Sequence, residues 1–102
     1  MDAQEKIKQQ VTGNPIVLYM KDTPDAPMCG FSAAAVQILE ACGVENVATV
    51  DVLADQDIRQ GIKDYSKWPT IPQLYVNGEF VGGTDIMREM YQSGELQKLL
   101  GK

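Results

Sequence analysis

No histidine occurs among the 102 residues. That absence removes Cys–His nucleophile pairs, histidine metal ligands and most zinc sites. Cysteine is scarce, with only Cys29 and Cys42. On one helix the two would stand about 20 Å apart, too far for a disulfide. Long apolar runs are missing too, and nothing approaches the roughly 20 residues of a membrane span. The polar start "MDAQEKIKQQ" predicts no secretory signal. Positive charge is outnumbered, 9 Lys and Arg against 14 Asp and Glu, for a net charge of −5. That argues against nucleic acid or an anionic membrane as main partner. The sequence shows no repeat, low-complexity tract or linker. One domain over residues 1–102, in a cytoplasmic compartment that keeps thiols reduced, is the expectation.

What is present reads as alternating elements. Ala3, Ile7 and Val11 recur at helical spacing before Gly13 and Pro15. "IVLYM" is a buried strand, and "KDTPDAPM" with its two prolines is loop. "GFSAAAVQILEACG" has no breaker before Gly43 and predicts helix; "VATVDV" predicts a second buried strand. Asp55 is placed to cap a helix carrying Ile58, Ile62 and Tyr65, weakened at Gly61. "QLYVNGEFVGG" is a hairpin, because Asn77-Gly78 suits a type I′ turn. Thr84 or Asp85 is expected to cap "IMREMYQSG", and "ELQKLL" adds a last helical piece. A βαβ unit followed by a hairpin implies an α/β protein with a central four-stranded mixed sheet flanked by helices, the thioredoxin-like layout.

The chemistry starts at "MCGFSAAA". Cys29 sits where a loop feeds a helix, where orphan N–H groups and the macrodipole favour a thiolate. Gly30 lets the backbone turn closely past the sulfur. A C-x-x-C oxidoreductase would carry its resolving thiol at position 32, which is Ser32. A hydroxyl forms no disulfide, so a mixed disulfide on Cys29 needs an external thiol for release. Ser32 has two readings, a hydrogen bond to the Cys29 thiolate or a helix cap. Cys42 reads as a core residue.

Other pieces point at an anion. Lys21 closes the first strand and offers an ammonium to a thiolate or carboxylate, unless it is a solvated charge. Pro72 stands just before a strand, where a cis Ile71–Pro72 bond would account for it. Such a turn leaves the Ile71 N–H and C=O free to pair with an extended peptide. "GGTD", from Gly82 to Asp85, ends at a helix N-terminus suited to a carboxylate. Arg59 and Lys63 share one helix face and could grip a second carboxylate. A thiol, a peptide-pairing edge and two carboxylate sites fit a small dianionic thiol peptide, with glutathione the obvious candidate.

"CGFS", "WPTIPQLYVNGEFVGG" and the flanking "TPDAPM" closely resemble the monothiol, CGFS-type glutaredoxins, over about Ile7 to Leu100. The resemblance implies a glutathione-binding thioredoxin-like fold. It further implies a [2Fe–2S] cluster bridging a homodimer, with Cys29 of each subunit and one glutathione thiol per side as ligands. On that resemblance the glutathione contacts are Lys21, Arg59, Ile71, Thr84 and Asp85, with Gly30, Phe31, Lys63, Thr70, Pro72 and Gly83 around them. It implies an iron–sulfur cluster carrier or scaffold, with a BolA-like protein and apo iron–sulfur proteins as partners. The competing reading is a glutathione-dependent oxidoreductase that deglutathionylates through Cys29 alone. Two departures stand out: Asp22 where the family often has Gly, and Thr84 where related sequences often have Cys.

Overall fold

The computed structural model describes residues 2–21, 30–44 and 47–101, and of Phe31 the backbone alone. Cys29, Asp22 and the "TPDAPM" stretch therefore lie outside the described residues. The elements run α1 (Ala3–Gly13), β1 (Ile16–Met20), α2 (Gly30–Ala41), β2 (Ala48–Asp51), α3 (Gln56–Ser66), β3 (Gln73–Val76), β4 (Glu79–Gly82), α4 (Thr84–Ser93) and α5 (Glu95–Leu99). The strand order is β2-β1-β3-β4. β1 pairs parallel with β2 and antiparallel with β3, with Tyr19 opposite Gln73. β3 and β4 form the hairpin, with an irregular register at Leu74/Tyr75. Asn77 and Gly78 both have positive φ, 53° and 83°, as a type I′ turn requires.

Strand alternation deals side chains to two cores. Ile16, Leu18, Met20, Leu74 and Val76 pack with Ala35 and Leu39 of α2, Met87 of α4 and Leu96 of α5. Val17, Tyr19 and Tyr75 pack on the opposite face with Ile7 and Val11 of α1 and Ile58 and Ile62 of α3. Cys42 is buried in the first cluster, as its sequence context predicts, and burial pushes its thiol pKa up.

The local signals hold in most places. Asp55 caps α3 by accepting from the Asp57 and Ile58 N–H groups. Those backbone bonds, foremost that from Ile58, hold its carboxyl pKa below the usual value. Three expectations change. β2 is not a buried strand but a sheet edge with Thr49 exposed, because it has a partner on one side only. Gly61 serves packing: a Cβ there would stand 3.0 Å from Ala3 Cβ and 3.2 Å from Ile7 Cδ1. Its bare backbone lets α1 close on α3, and Gln4 Nε2 donates to the Gly61 carbonyl at 2.8 Å. Finally, α4 is capped by Gly83 rather than Thr84 or Asp85, its carbonyl accepting the Met87 N–H at 2.9 Å. A side chain at Gly83 would press on the Pro72 carbonyl at 3.3 Å, so the bare backbone there fits against the proline loop.

Candidate functional site

Three chain segments meet at one end of the sheet. β1 ends at Met20, beside the start of β3, and β4 delivers the chain to the N-terminus of α4. Between them opens a cleft of ≈ 380 Å³, within the size range of small-ligand sites. Lys21 and Lys63 line one part; Trp68, Pro69, Thr70, Ile71 and Pro72 form a loop wall; Gly83, Thr84, Asp85 and Ile86 close the other side.

Eight residues singled out in the sequence thus share one cavity: Lys21, Lys63, Thr70, Ile71, Pro72, Gly83, Thr84 and Asp85. Arg59 is half-buried one turn before Lys63 and is not among the lining residues. Gly30 is exposed at the start of α2, and the Phe31 side chain, like Cys29, lies outside what is described. Trp68, Pro69 and Ile86 are wall residues that sequence reasoning missed. The "WP" pair inside "WPTIPQ" was the available signal.

Each wall has a physical cause. The Ile71–Pro72 bond is cis. The Ile71 N–H and C=O find no partner among the described residues, which leaves them for a ligand. The start of α4 offers the positive end of a helix dipole. Asp85, exposed in that first turn, adds a carboxylate. The cleft therefore presents two ammonium groups, a helix N-terminus, one carboxylate and a free peptide edge. That set suits a short peptide carrying carboxylates and one ammonium.

Of the two sequence readings of Ser32, the bond to the Cys29 thiolate lies outside the described residues. Ser32 is fully buried in the first turn of α2, and its Oγ accepts the Lys21 N–H at 3.2 Å. The hydroxyl ties the end of β1 to the helix that follows Cys29 in the chain. A cap role fails because Ser32 already lies inside the helix, two residues past its start.

A four-stranded mixed sheet between helices, with a cis-proline loop facing a helix N-terminus across one sheet end, defines the thioredoxin-like class. The glutaredoxin family profile matches residues 16–81. An uncharacterized monothiol glutaredoxin of Synechocystis is 59% identical over 97% of this chain and 92% of its own length. Glutaredoxin 4 of Escherichia coli is 59% identical over 94% of this chain and 83% of its own. The solution structure of reduced apo GrxS14 from poplar superposes with a TM-score of 0.82 at 47% identity, covering 95% of this chain and 88% of that one. A crystal structure of a buckwheat glutaredoxin–glutathione complex shares the fold, with a TM-score of 0.85 at 24% identity over 97% of this chain and 87% of that one. This chain belongs to the glutaredoxin family, and its similarities are to the monothiol class.

Proposed function

We propose that the cleft binds glutathione and that two glutathione-loaded copies share a [2Fe–2S] cluster as cargo, through Cys29 of each. The observation that carries this reading is the charge pattern of the cleft. Glutathione has two carboxylates, one ammonium, two peptide links and one thiol. Lys21 and Lys63 suit one carboxylate, the α4 N-terminus the other, Asp85 the ammonium and the Ile71 backbone a peptide link. Gly30, covalent neighbour of Cys29, begins α2, and Ser32 bonds to Lys21 of the cleft wall.

The donor set fits a shared cluster. The chain has two cysteines and no histidine. Among the described residues no group of three or more His, Cys, Asp or Glu could hold a metal ion, and Cys42 is buried in an apolar core. Four thiolates then require two chains and two glutathione thiols. On this reading the chain is one carrier domain in a reducing compartment. It passes its cluster to apo iron–sulfur proteins, and a BolA-like protein can replace one subunit.

The test is anaerobic reconstitution with iron and sulfide, with and without glutathione, on wild type and Cys29→Ser. Visible absorbance that needs both glutathione and Cys29, and that elutes with a dimer, is expected. Colour retained by Cys29→Ser would overturn it. A colourless monomer that reduces glutathione mixed disulfides would instead make the chain a one-thiol oxidoreductase.

A further inference from the structure

The loop wall from Trp68 to Pro72 has little of its own to hold it. Pro69 and Pro72 carry no N–H, which leaves three donors in five residues. The Trp68 N–H goes to Ser66 Oγ at 3.1 Å, and that hydroxyl donates back to the Ile62 carbonyl at 2.9 Å. No ladder runs through the loop. Two of its carbonyls are instead met by one side chain.

That side chain is Gln73, fully buried at the start of β3 and absent from the cleft lining. Its Nε2 donates to the Thr70 carbonyl at 3.0 Å and to the Trp68 carbonyl at 3.1 Å. Two carbonyl neighbours can be met only by the NH₂ end, so the amide orientation is fixed and both hydrogens are spent. The Tyr75 hydroxyl lies 3.5 Å from Gln73 Oε1, at the outer limit of a hydrogen bond. A buried carboxamide costs free energy unless satisfied, and here its satisfaction is the loop itself.

We infer that Gln73 is a positioning residue for the cleft: by turning the Trp68 and Thr70 carbonyls inward it holds the loop in the shape that offers the Ile71 N–H and C=O to a bound peptide. The ligand never touches Gln73, yet its affinity depends on it. This inference rests on the glutathione reading for the identity of the ligand, but not for the state of the loop.

Two substitutions separate this role from packing. Gln73→Glu keeps the shape and sets carboxylate oxygens against two carbonyl oxygens. Gln73→Met keeps the length and removes the donors without adding charge. The probe is S-methylglutathione, which cannot exchange disulfides, titrated by calorimetry well below each variant's Tm. The second readout is emission and anisotropy of Trp68, the one tryptophan in the chain. Gln73→Met should fold and bind about tenfold more weakly, with red-shifted, more depolarised Trp68 emission. Gln73→Glu should lose more. A packing role predicts the reverse order, since Glu is nearer to Gln in shape. A folded Gln73→Met with wild-type affinity and unchanged Trp68 emission would overturn the inference. So would Glu binding better than Met. Wild type without affinity for S-methylglutathione would sink the glutathione reading instead. Trp68 emission in the ligand-free variants then decides for Gln73: a shift larger in Glu than in Met supports it, and no shift overturns it.

Discussion

The two faces of the sheet are built from the same strands and do different work. Toward α2 and α4 the buried residues are Leu18, Met20, Leu74, Val76, Met87 and Leu96, joined by Cys42. Toward α1 and α3 the strands present Tyr19, Gln73 and Tyr75, with Tyr65 and Phe80 packed against them. The aromatic rings there run in contact from the cleft wall inward: Trp68–Phe80 at 5.9 Å, Phe80–Tyr75 at 5.4 Å and Tyr75–Tyr19 at 5.7 Å. Apolar burial is non-directional, so the first face can supply stability without fixing any angle. Hydrogen bonds and edge-to-face ring contacts are directional. The second face therefore carries geometry to the cleft, through Gln73 and the loop it holds.

The largest effect should come from the apolar face. Leu18 is fully buried on the interior strand β1. Leu18→Ala removes buried methyl groups and leaves a cavity, a loss of about 2–5 kcal/mol. Denaturant unfolding should show it, while S-methylglutathione affinity and Trp68 emission, taken well below the Tm, stay at wild-type values. A variant that lost affinity in step with stability would end the division between the faces.

Much of this division was legible in the sequence, and the failures have a common cause. Periodicity, apolar runs and breakers placed the helices and strands, and Asp55 and Asn77-Gly78 announced themselves because a cap and a turn are local events. The cap reading of Ser32 failed because its partner, the Lys21 N–H, is 11 residues away in the sequence. Gly61 looked like a weak point because α1, which needs the space, lies more than 50 residues earlier in the chain. Gln73 lies in the quoted "WPTIPQ" stretch, but its residue type gave no sign of burial: a polar residue opening a strand looks like an exposed position until its burial is seen. In the site, eight of the singled-out residues gathered in one cleft and Arg59 and Gly30 did not, while Trp68, Pro69 and Ile86 entered its wall unforeseen.

A middle-sized effect separates the faces by pH. Burial, then the nearby Tyr75 and Tyr65 hydroxyls, raises the Tyr19 pKa well above its ordinary 10.0, and burial foremost pushes Tyr75 up to about 12. Raised folded values mean that the folded chain keeps protons the unfolded chain releases. Stability is whole below the unfolded values and falls as pH climbs through the folded ones. The Cys42 thiol on the apolar face should start the decline above its ordinary 9.0, and the tyrosines of the other face should continue it from about 10 to 12. Tyr19→Phe takes away the donor that meets Gln10 Oε1 at 2.7 Å. It should cost about 1 kcal/mol at neutral pH and make the upper part of the alkaline decline shallower. Urea midpoints measured from neutral pH upward would show both. An unchanged slope above pH 10 would mean that Tyr19 ionises no differently in the folded and unfolded chains.

The smallest effect is a gain, and it tests what holds the cleft loop. Lys67 ends α3 in the left-handed region, with φ 57° and ψ 32°, immediately before Trp68. A side chain there costs about 1 kcal/mol relative to glycine, partly offset by the extra freedom glycine brings to the unfolded chain. Lys67→Gly should raise stability by a few tenths to about 1 kcal/mol. If Gln73 and Ser66 hold the loop, removing the stiffer residue at its entrance leaves Trp68 emission and peptide affinity unchanged. A stabilised variant with weakened binding would show that the left-handed turn, or the Lys67 charge, shares in shaping the wall. The directional face would then extend one residue further than the hydrogen bonds alone define.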